Sequence, residues 1–541
     1  MSSFLVCRKG VFIKFLFFLF FIFSSGSIVF AASGSPNAQG GILYVDGQRG
    51  IIGWGQEPDG RPIRVDVYVC PAGKGAPEAV CSAGEIETVK YVDEVFEGYS
   101  KVKSHNGRLF VFNPGCFRQL PDGSYDVWLA LGPNYFAPGG AFRFVVTTLT
   151  PESALRIWMH YLGVLVNRVN NNYDSYPTVM FEGGKYRMWY ASGNLTGHPG
   201  DNIFYAESND GINWSLINGP LEGGAVLMQT INNCTCTEDP QHPGSCPPGE
   251  DFAFDDMHVA DPTVVKVGDT YYLYYTAASK KWACFGANNH IALAVSRDGI
   301  NWEKKGVVIA PVNPCTSIDT CGPWVQGYPH WYGAGMPSII YLQGEGKFVN
   351  FFTDMSLDNY AWSVGESVDG FNFQRQNSIS SHAGFDVKYF SKLNRYVAIT
   401  SPITNENVPG FVLMKLSDRI SSGWQDVGFD CNNAGYPSKA IFTMDQFTND
   451  TYHWNLNNPG LLGDAHGKVD GRYTIIYSGA GLAMQPKEYT WDIIGIEAWV
   501  SKKANGEDYR RLLEKYGSAA CGDEFDIDIN CKVNTIDFWL R

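Results

Sequence analysis

Positive charge is in short supply along this chain. It carries 41 Lys and Arg against 55 Asp and Glu, a formal net charge of −14 at pH 7 over 541 residues. A chain this acidic has no basic patch with which to neutralise phosphates, so nucleic acid is not an expected partner. Polyanionic sugars are disfavoured on the same ground, and neutral ones are not. Long apolar runs are equally scarce. The one such stretch, Phe15 to Phe23, follows Arg8, Lys9 and Lys14 and precedes the small-residue site Val29-Phe30-Ala31. That order reads as a secretory signal peptide over residues 1–32. It is short and broken by Ser24-Ser25-Gly26-Ser27, and no later run is long and apolar enough to span a bilayer. Its removal takes away three positive charges and no negative one, moving the net charge from −14 to −17. A secreted or periplasmic protein, monomeric and without membrane association after cleavage, is the expectation.

Metal-ligand spacing is also missing. Cys234-Thr-Cys236 has no second ligand pair at a zinc-site distance, so neither a metal nor a cofactor is expected. Of the 13 cysteines Cys7 leaves with the signal, and the even remainder suits an oxidising compartment. Cys70 with Cys81, Cys315 with Cys321, and Cys521 with Cys531 are spaced as staples of local loops. Cys234, Cys236 and Cys246 share a Pro- and Gly-rich insertion, from which one of them is expected to bridge elsewhere.

What the chain does have is repetition. Pro177 to Tyr190, Asp261 to Tyr275, Met336 to Phe352, Phe385 to Ile399 and Asn458 to Tyr477 each hold an apolar run, a tight polar turn and an aromatic-rich run. The aromatics after the turns, Tyr186, Tyr271, Phe348, Tyr396 and Tyr473, lie 85, 77, 48 and 77 residues apart. Each unit is a β-hairpin, and self-similarity at this period marks a repeat architecture. The expected fold is all-β, a five-bladed β-propeller. Ser208-Asn-Asp-Gly-Ile-Asn-Trp214, Ser296-Arg-Asp-Gly-Ile-Asn-Trp302 and Ser367-Val-Asp-Gly-Phe-Asn-Phe373 recur inside the units, with a degenerate copy from Ser417 to Trp424. Asp-Gly supplies the turn and the aromatic folds back on the sheet, so these boxes are expected to lock strands rather than to hold sugar.

Ahead of the repeats, residues 33–150 alternate as short strands at Ile42–Val45, Val65–Val69, Leu109–Phe112, Tyr125–Ala130 and Phe142–Val146, the pattern of a smaller β-sandwich. This module either binds carbohydrate or supports the propeller. Thr150-Pro151-Glu152 has the form of a helix start or an irregular linker. The propeller is then expected over 151–505. Residues 506–541 read as an amphipathic helix, Glu507 to Tyr516, and a disulfide-clipped tail.

In a propeller the innermost strand of each blade begins at the axis, so the segments before those strands crowd one mouth. Here they hold Asp174, then Asp255, Asp256, His258 and Asp261, then His330 and Trp331, then His382 and Asp386, and finally Trp454 and Asn457. Carboxylates and amides bind hydroxyls, and flat aromatics cover the apolar face of a sugar ring. The Pro-opened blades, with Asp261-Pro262 at the second, resemble the five-bladed propeller glycosidases: arabinanases and xylosidases, invertases and levansucrases. The resemblance covers roughly residues 165–505 and bears on fold more than on activity. In the family-43 pattern an Asp base opens blade one, an Asp on blade two tunes the acid, and a Glu acid opens blade three. Only Asp261 matches. Tyr176 stands at the first position with Asp174 two residues earlier, which on an unbroken strand shares its face. Met336 stands before Pro337 at the third, where no Glu is found. Asp261, Asp174 and Asp386 are therefore the catalytic candidates. Asp255, Asp256, His258, His330 and His382 are possible substitutes for the missing acid. His258, His330, Trp331, His382, Trp454 and Asn457 are the candidate sugar contacts.

Two functions follow: a secreted glycoside hydrolase on a neutral oligo- or polysaccharide, or a glycan-binding propeller that has lost its acid. A propeller for protein partners fits less well, because His, Asp and Trp gather at one mouth.

Overall fold

A computed structural model describes residues 38–46, 50–56, 64–74, 81–82, 86–87, 109–112, 120–131, 142–150, 155–167, 173–193, 200–236, 244–281, 288–314, 332–356, 361–376, 386–402, 409–431, 438–449, 453, 455–481 and 491–502. His330, Trp331, His382, Trp454, the signal segment, the tail over 506–541 and the pairs Cys315–Cys321 and Cys521–Cys531 lie outside the described residues. The described chain is all-β, with short 3-10 turns as its only helical elements. It falls into two compact units, one of Met1–Asp93, Lys103–Arg143 and Ala504–Arg541, the other of Glu94–Val102 and Phe144–Lys503.

In the first unit Gln39–Asp46, Gly50–Gln56 and Leu109–Phe112 form one antiparallel sheet. Arg64–Pro71 pairs with Gly123–Ala130, setting Val67 opposite Leu129 and Val69 opposite Val127, all four buried. Cys81–Ser82 pairs with the same strand, which puts Cys70 and Cys81 on adjacent strands. The buried Asp126 takes Arg143 Nε at 2.7 Å and the Gly73 amide at 2.8 Å.

The second unit contains all five hairpins, each extended by further strands. The first group is Asp174–Glu182, Lys185–Ser192, Asn202–Ser208 and Trp214–Ile217. The second is His258–Val267, Thr270–Ala278, His290–Ser296 and Glu303–Ile309. Ala334–Leu342, Lys347–Asp354, Ala361–Ser367 and Gln374–Arg375 make the third. Asp386–Phe390, Arg395–Thr400 and Phe411–Ser417 lead the fourth. In the fifth, Asn455–Asp464, Tyr473–Gly481 and Trp491–Lys502 are joined by Leu155–Val166 from the start of the unit. Thr150, expected to begin a helix or linker, instead ends the strand Phe142–Thr150, and the next described residues are that closing strand. The N-terminal signal at Thr150-Pro151 is local, whereas the pairing of Trp158 with Trp499 and of His160 with Glu497 joins opposite ends of the unit.

Successive groups stack face to face, so their middle strands are buried on both sides and lose the in–out alternation of a half-exposed sheet. Tyr186, Met188, Trp189 and Tyr190 are all buried, for example. Trp189, Tyr205, Tyr271 and Leu273 fill the contact between the first and second groups. Tyr274, Ile339, Phe348 and Phe352 fill the next, and Phe351, Trp362, Val387 and Ala398 the one after. Near the first strands a second set of ties runs from group to group. Thr263 Oγ1 accepts from the Ile339 amide at 3.1 Å, Ser338 Oγ from the Val387 amide at 2.8 Å, and Asp386 Oδ2 from the Leu461 amide at 2.7 Å. Val179 then pairs with Leu462 in parallel register, which joins the fifth group to the first.

The recurring boxes are locks, as their composition implied. In the second copy Asp298 Oδ1 accepts from the Ile300 amide at 2.9 Å and the Asn301 amide at 2.8 Å, and the Gly299 amide donates to Ser296 Oγ at 2.9 Å. Partial burial pushes the Asp298 carboxyl up, but these bonds and the Asn301 side chain outweigh it and hold the pKa at about 2. Each box glycine also offers its carbonyl to the preceding group. Trp189 Nε1 donates to Gly299 O at 2.8 Å, the Tyr274 hydroxyl to Gly370 O at 2.8 Å and the Tyr477 hydroxyl to Gly211 O at 2.9 Å. Only glycine fits there: Gly299 has φ +79°, and a Cβ would lie 2.9 Å from the buried Trp189 ring. Gly299→Ala is expected to cost about 2 kcal/mol. Gly268→Ala, at φ +60° with nothing within 4 Å of its Cβ, isolates the backbone share and should cost less. Denaturant melts of the two variants check this, and equal losses would remove the docking role of Gly299.

The Cys234–Cys246 disulfide closes the insertion between the first two groups, and Cys236 is also disulfide-bonded.

Candidate active site

Four of the five first strands open on the same device. Tyr176, Asp261, Met336 and Asn458 each precede a proline, each has a left-handed backbone at φ 53°, 50°, 51° and 43°, and each sits inside a register shift. A β-bulge re-aims the side chain it carries, and a non-glycine residue at positive φ costs about 1–3 kcal/mol, which the surrounding strands must offset. Repeated around the unit, the bulges bring four different side chains to one place. Together with Asp386 and the flanking prolines they line a cavity of about 40 Å³. That is room for roughly one water molecule.

Asp261 is the polar centre of this ring, only 6 % exposed. Thr276 Oγ1 donates to its Oδ2 at 2.6 Å, and the same Oγ1 accepts from the Met336 amide at 2.9 Å. Burial drives the Asp261 pKa up to about 6, against the lowering pull of His258, Thr276 and Met336, while the nearby Asp201 adds to the rise. The Tyr332 hydroxyl and Thr276 Oγ1 converge beside Gly335, where a Cβ would lie 2.7 and 3.0 Å from them, and Tyr176 lies close to Asn457. Both phenols are pushed up by burial first and by the Asp261 charge next, so both remain protonated donors.

The second carboxyl is one that sequence reading missed. Asp201, also 6 % exposed, precedes the third strand of the first group, and its Oδ2 lies 3.5 Å from His258 Nδ1. Burial raises its pKa to about 7. His258 is lowered by burial and pulled back by Asp261, and its side chain is 26 % exposed. Two carboxyls with raised pKa values and one accessible imidazole therefore share a site. Nothing in the sequence around Gly200-Asp201-Asn202 announces this, because Asp201 lies ahead of an outer strand and meets His258 only when two groups stack.

The other expected residues fall differently. Asp174 is fully buried opposite Ser192 at the start of its strand and is not among the cavity-lining side chains. Its expected place beside Tyr176 assumed unbroken alternation, which the register shift between Ser175 and Thr178 interrupts. Asp386 reaches the cavity, but Lys388 Nζ lies 2.8 and 3.0 Å from its two oxygens, and Ser338 and the Leu461 amide take the rest. Asp255 is held by Lys304 at 2.7 Å, Thr230 and Tyr275, and Asp256 by Asn232 and the Ala253 and Lys280 amides. Asn457 is in the site through Tyr176. Among the described residues no group of three His, Cys, Asp or Glu side chains is arranged to hold a metal ion.

No family model matches the chain. It is 28% identical over 136 residues to an uncharacterized protein of Mycobacterium tuberculosis (strain CDC 1551 / Oshkosh), a match covering 24% of this chain and 34% of that protein. The chain thus spans about a third of the length of the curated relatives it matches. The solved structures it is similar to include glycoside hydrolases. One is the catalytic domain of a Coprinopsis cinerea GH62 α-L-arabinofuranosidase, at 13% identity and TM-score 0.42, covering 63% of this chain and 96% of that one. Another is a family 117 glycoside hydrolase of Zobellia galactanivorans, at 14% identity and TM-score 0.41, covering 63% and 90%. A third is an N-acetylgalactosamine deacetylase from F. plautii, at 15% identity and TM-score 0.39, covering 65% and 95%.

Proposed function

We propose that this chain is an exported glycoside hydrolase acting on a neutral oligo- or polysaccharide. Its fold in this reading is a five-bladed propeller over 151–505, preceded by a β-sandwich. The observation that carries it is the pair Asp261 and Asp201, two nearly buried carboxyls with raised pKa values, gathered with His258 beside the strand bulges. Hydrolysis of a glycosidic bond needs one carboxyl that gives a proton to the leaving oxygen and one that is ionised to activate water or attack carbon. Burial raises both carboxyls, to about 6 at Asp261 and about 7 at Asp201. Asp261, whose bond from Thr276 Oγ1 at 2.6 Å favours the ionised form, is the base or nucleophile, and Asp201, raised by burial alone, is the acid. His258, Tyr176 and Asn457 are the sugar contacts in this reading, and His330, Trp331, His382 and Trp454 stay candidates on the sequence alone. Asp174 and Asp386 support the strands.

The sign of each step fixes the pH dependence. Activity rises as Asp261 loses its proton through about 6 and falls as Asp201 loses its own through about 7. A narrow bell with its maximum between these values is expected for kcat/KM, the two limbs belonging to the coupled pair. Reducing-sugar release from a panel of neutral furanosides and pyranosides between pH 4 and 9 tests it. The second reading, a binding propeller, draws on one observation: Met336 stands before Pro337 where the glycosidases resembled carry a Glu. Tight glycan binding with no hydrolysis across the whole pH range would establish it.

A further inference from the structure

We propose that Thr276 and Tyr332 are positioning residues that act through Asp261, a hydroxyl relay Tyr332–Thr276–Asp261 fixing one carboxylate oxygen and leaving the other for the reaction. This rests on Asp261 as the base. The direction of the relay follows from counting protons. Thr276 has one hydroxyl proton, and at 2.6 Å it is given to Asp261 Oδ2, since an ionised carboxylate can only accept. The Thr276 oxygen then has only lone pairs to offer. One takes the Met336 amide at 2.9 Å, and in the proposed relay the other takes the proton of the Tyr332 hydroxyl, which reaches the same point beside Gly335.

The backbone is shaped around this chain of bonds. Gly335 precedes the bulge residue Met336, and a Cβ on it would lie 2.7 Å from the Tyr332 hydroxyl and 3.0 Å from Thr276 Oγ1. Only a residue without a side chain leaves room for the phenol to reach the threonine. The relay also crosses between groups: Thr276 lies on the second strand of the second group, and Met336 on the first strand of the third. The carboxylate is thereby tied to the seam between them. When Asp261 takes a proton, the two hydroxyls can rotate and reverse their donation, so both protonation states are bonded and no atom has to move. The charged and titratable groups facing Asp261 are Asp201 and His258, with Asp386 and its Lys388 across the same cavity and Tyr176 and Tyr332 the neutral phenols beside it.

The Thr276 bond favours the ionised form, so its removal raises the Asp261 pKa. The test is the carboxyl titration of Asp261 in the full-length chain, followed by carbon NMR on protein labelled in its aspartates and assigned by the Asp261→Asn variant. The wild type should titrate near 6. Thr276→Val should move the midpoint up by about one pH unit, the worth of one hydrogen bond to a charged group. Thr276→Ser should restore it, and Tyr332→Phe should move it the same way by less. Where hydrolysis is measured, Thr276→Val should displace the acid limb of the pH profile upward and lower kcat more than it changes KM. An Asp261 midpoint unmoved in a folded Thr276→Val, or, should that variant not fold, unmoved in Tyr332→Phe, overturns the relay. The titration needs no substrate: a shifted midpoint in a protein without hydrolytic activity would retire the glycosidase reading and keep the relay.

Discussion

Asp261→Asn is expected to lower turnover roughly 10²–10⁴-fold, the usual size of acid–base assistance, with a smaller change in KM. The same holds for Asp201→Asn, because both roles are needed for each bond cleaved. The two losses should not add, since removal of either member already leaves the pair without function. The substitution is also informative through stability. Asp261 is raised from 3.8 to about 6, so the folded state binds its proton more tightly than the unfolded chain does. Folding therefore loses stability as pH rises from about 4 to 6, and above that range the buried charge is a standing cost. An amide at this position removes the charge and can still accept from Thr276. The Asn variant should accordingly melt no lower than the wild type at pH 7, while its turnover collapses. A residue kept at the expense of stability is the signature of a functional site. The measurement is a pair of curves on one preparation, thermal unfolding and hydrolysis rate. Turnover within a few-fold of wild type in both variants would sink the acid–base assignment.

How much of this was legible in the chain depended on the range of the interaction. The hairpins could be read because their causes are local: apolar runs, a Gly- or Asn-containing turn and an aromatic, all within about twenty residues. The boxes were legible for the same reason, since Asp298 bonds only within its own turn. Asp261 could be singled out because it opens a strand before a proline. The rest was decided at long range. The closing strand Leu155–Val166 carries no repeat of its own, and only its pairing with Trp491–Lys502 gives it a place. Asp201 became a site residue by stacking against His258, and Tyr332 by the gap that Gly335 leaves. Alternation could not fix the direction of Asp174 relative to Tyr176, because it does not survive the bulge between Ser175 and Thr178.

Asp386 illustrates the same point with a charge. Its position on a first strand made it a catalytic candidate, yet its carboxylate is the last link in the ties that run from Thr263 through Ser338 to Leu461. Its cation is Lys388, a lysine whose side chain is only 5 % exposed and which reaches both carboxylate oxygens. Breaking such a pair from one side leaves the other charge buried and uncompensated, which costs about 3–5 kcal/mol. Asp386→Asn is therefore expected to destabilise the protein by about 3 kcal/mol, with kcat per folded molecule within two- to threefold of wild type. Replacing the lysine as well, in Asp386→Asn/Lys388→Met, removes the orphaned ammonium and should recover most of the loss, because a thioether chain of similar volume is at home in that packing. Denaturant melts of the single and double variants, each with an activity measured at matched folded fraction, separate structure from chemistry. If Asp386→Asn instead keeps its stability and loses turnover, Asp386 is a reacting carboxylate, and the assignment of acid and base to Asp201 and Asp261 must be redrawn around it.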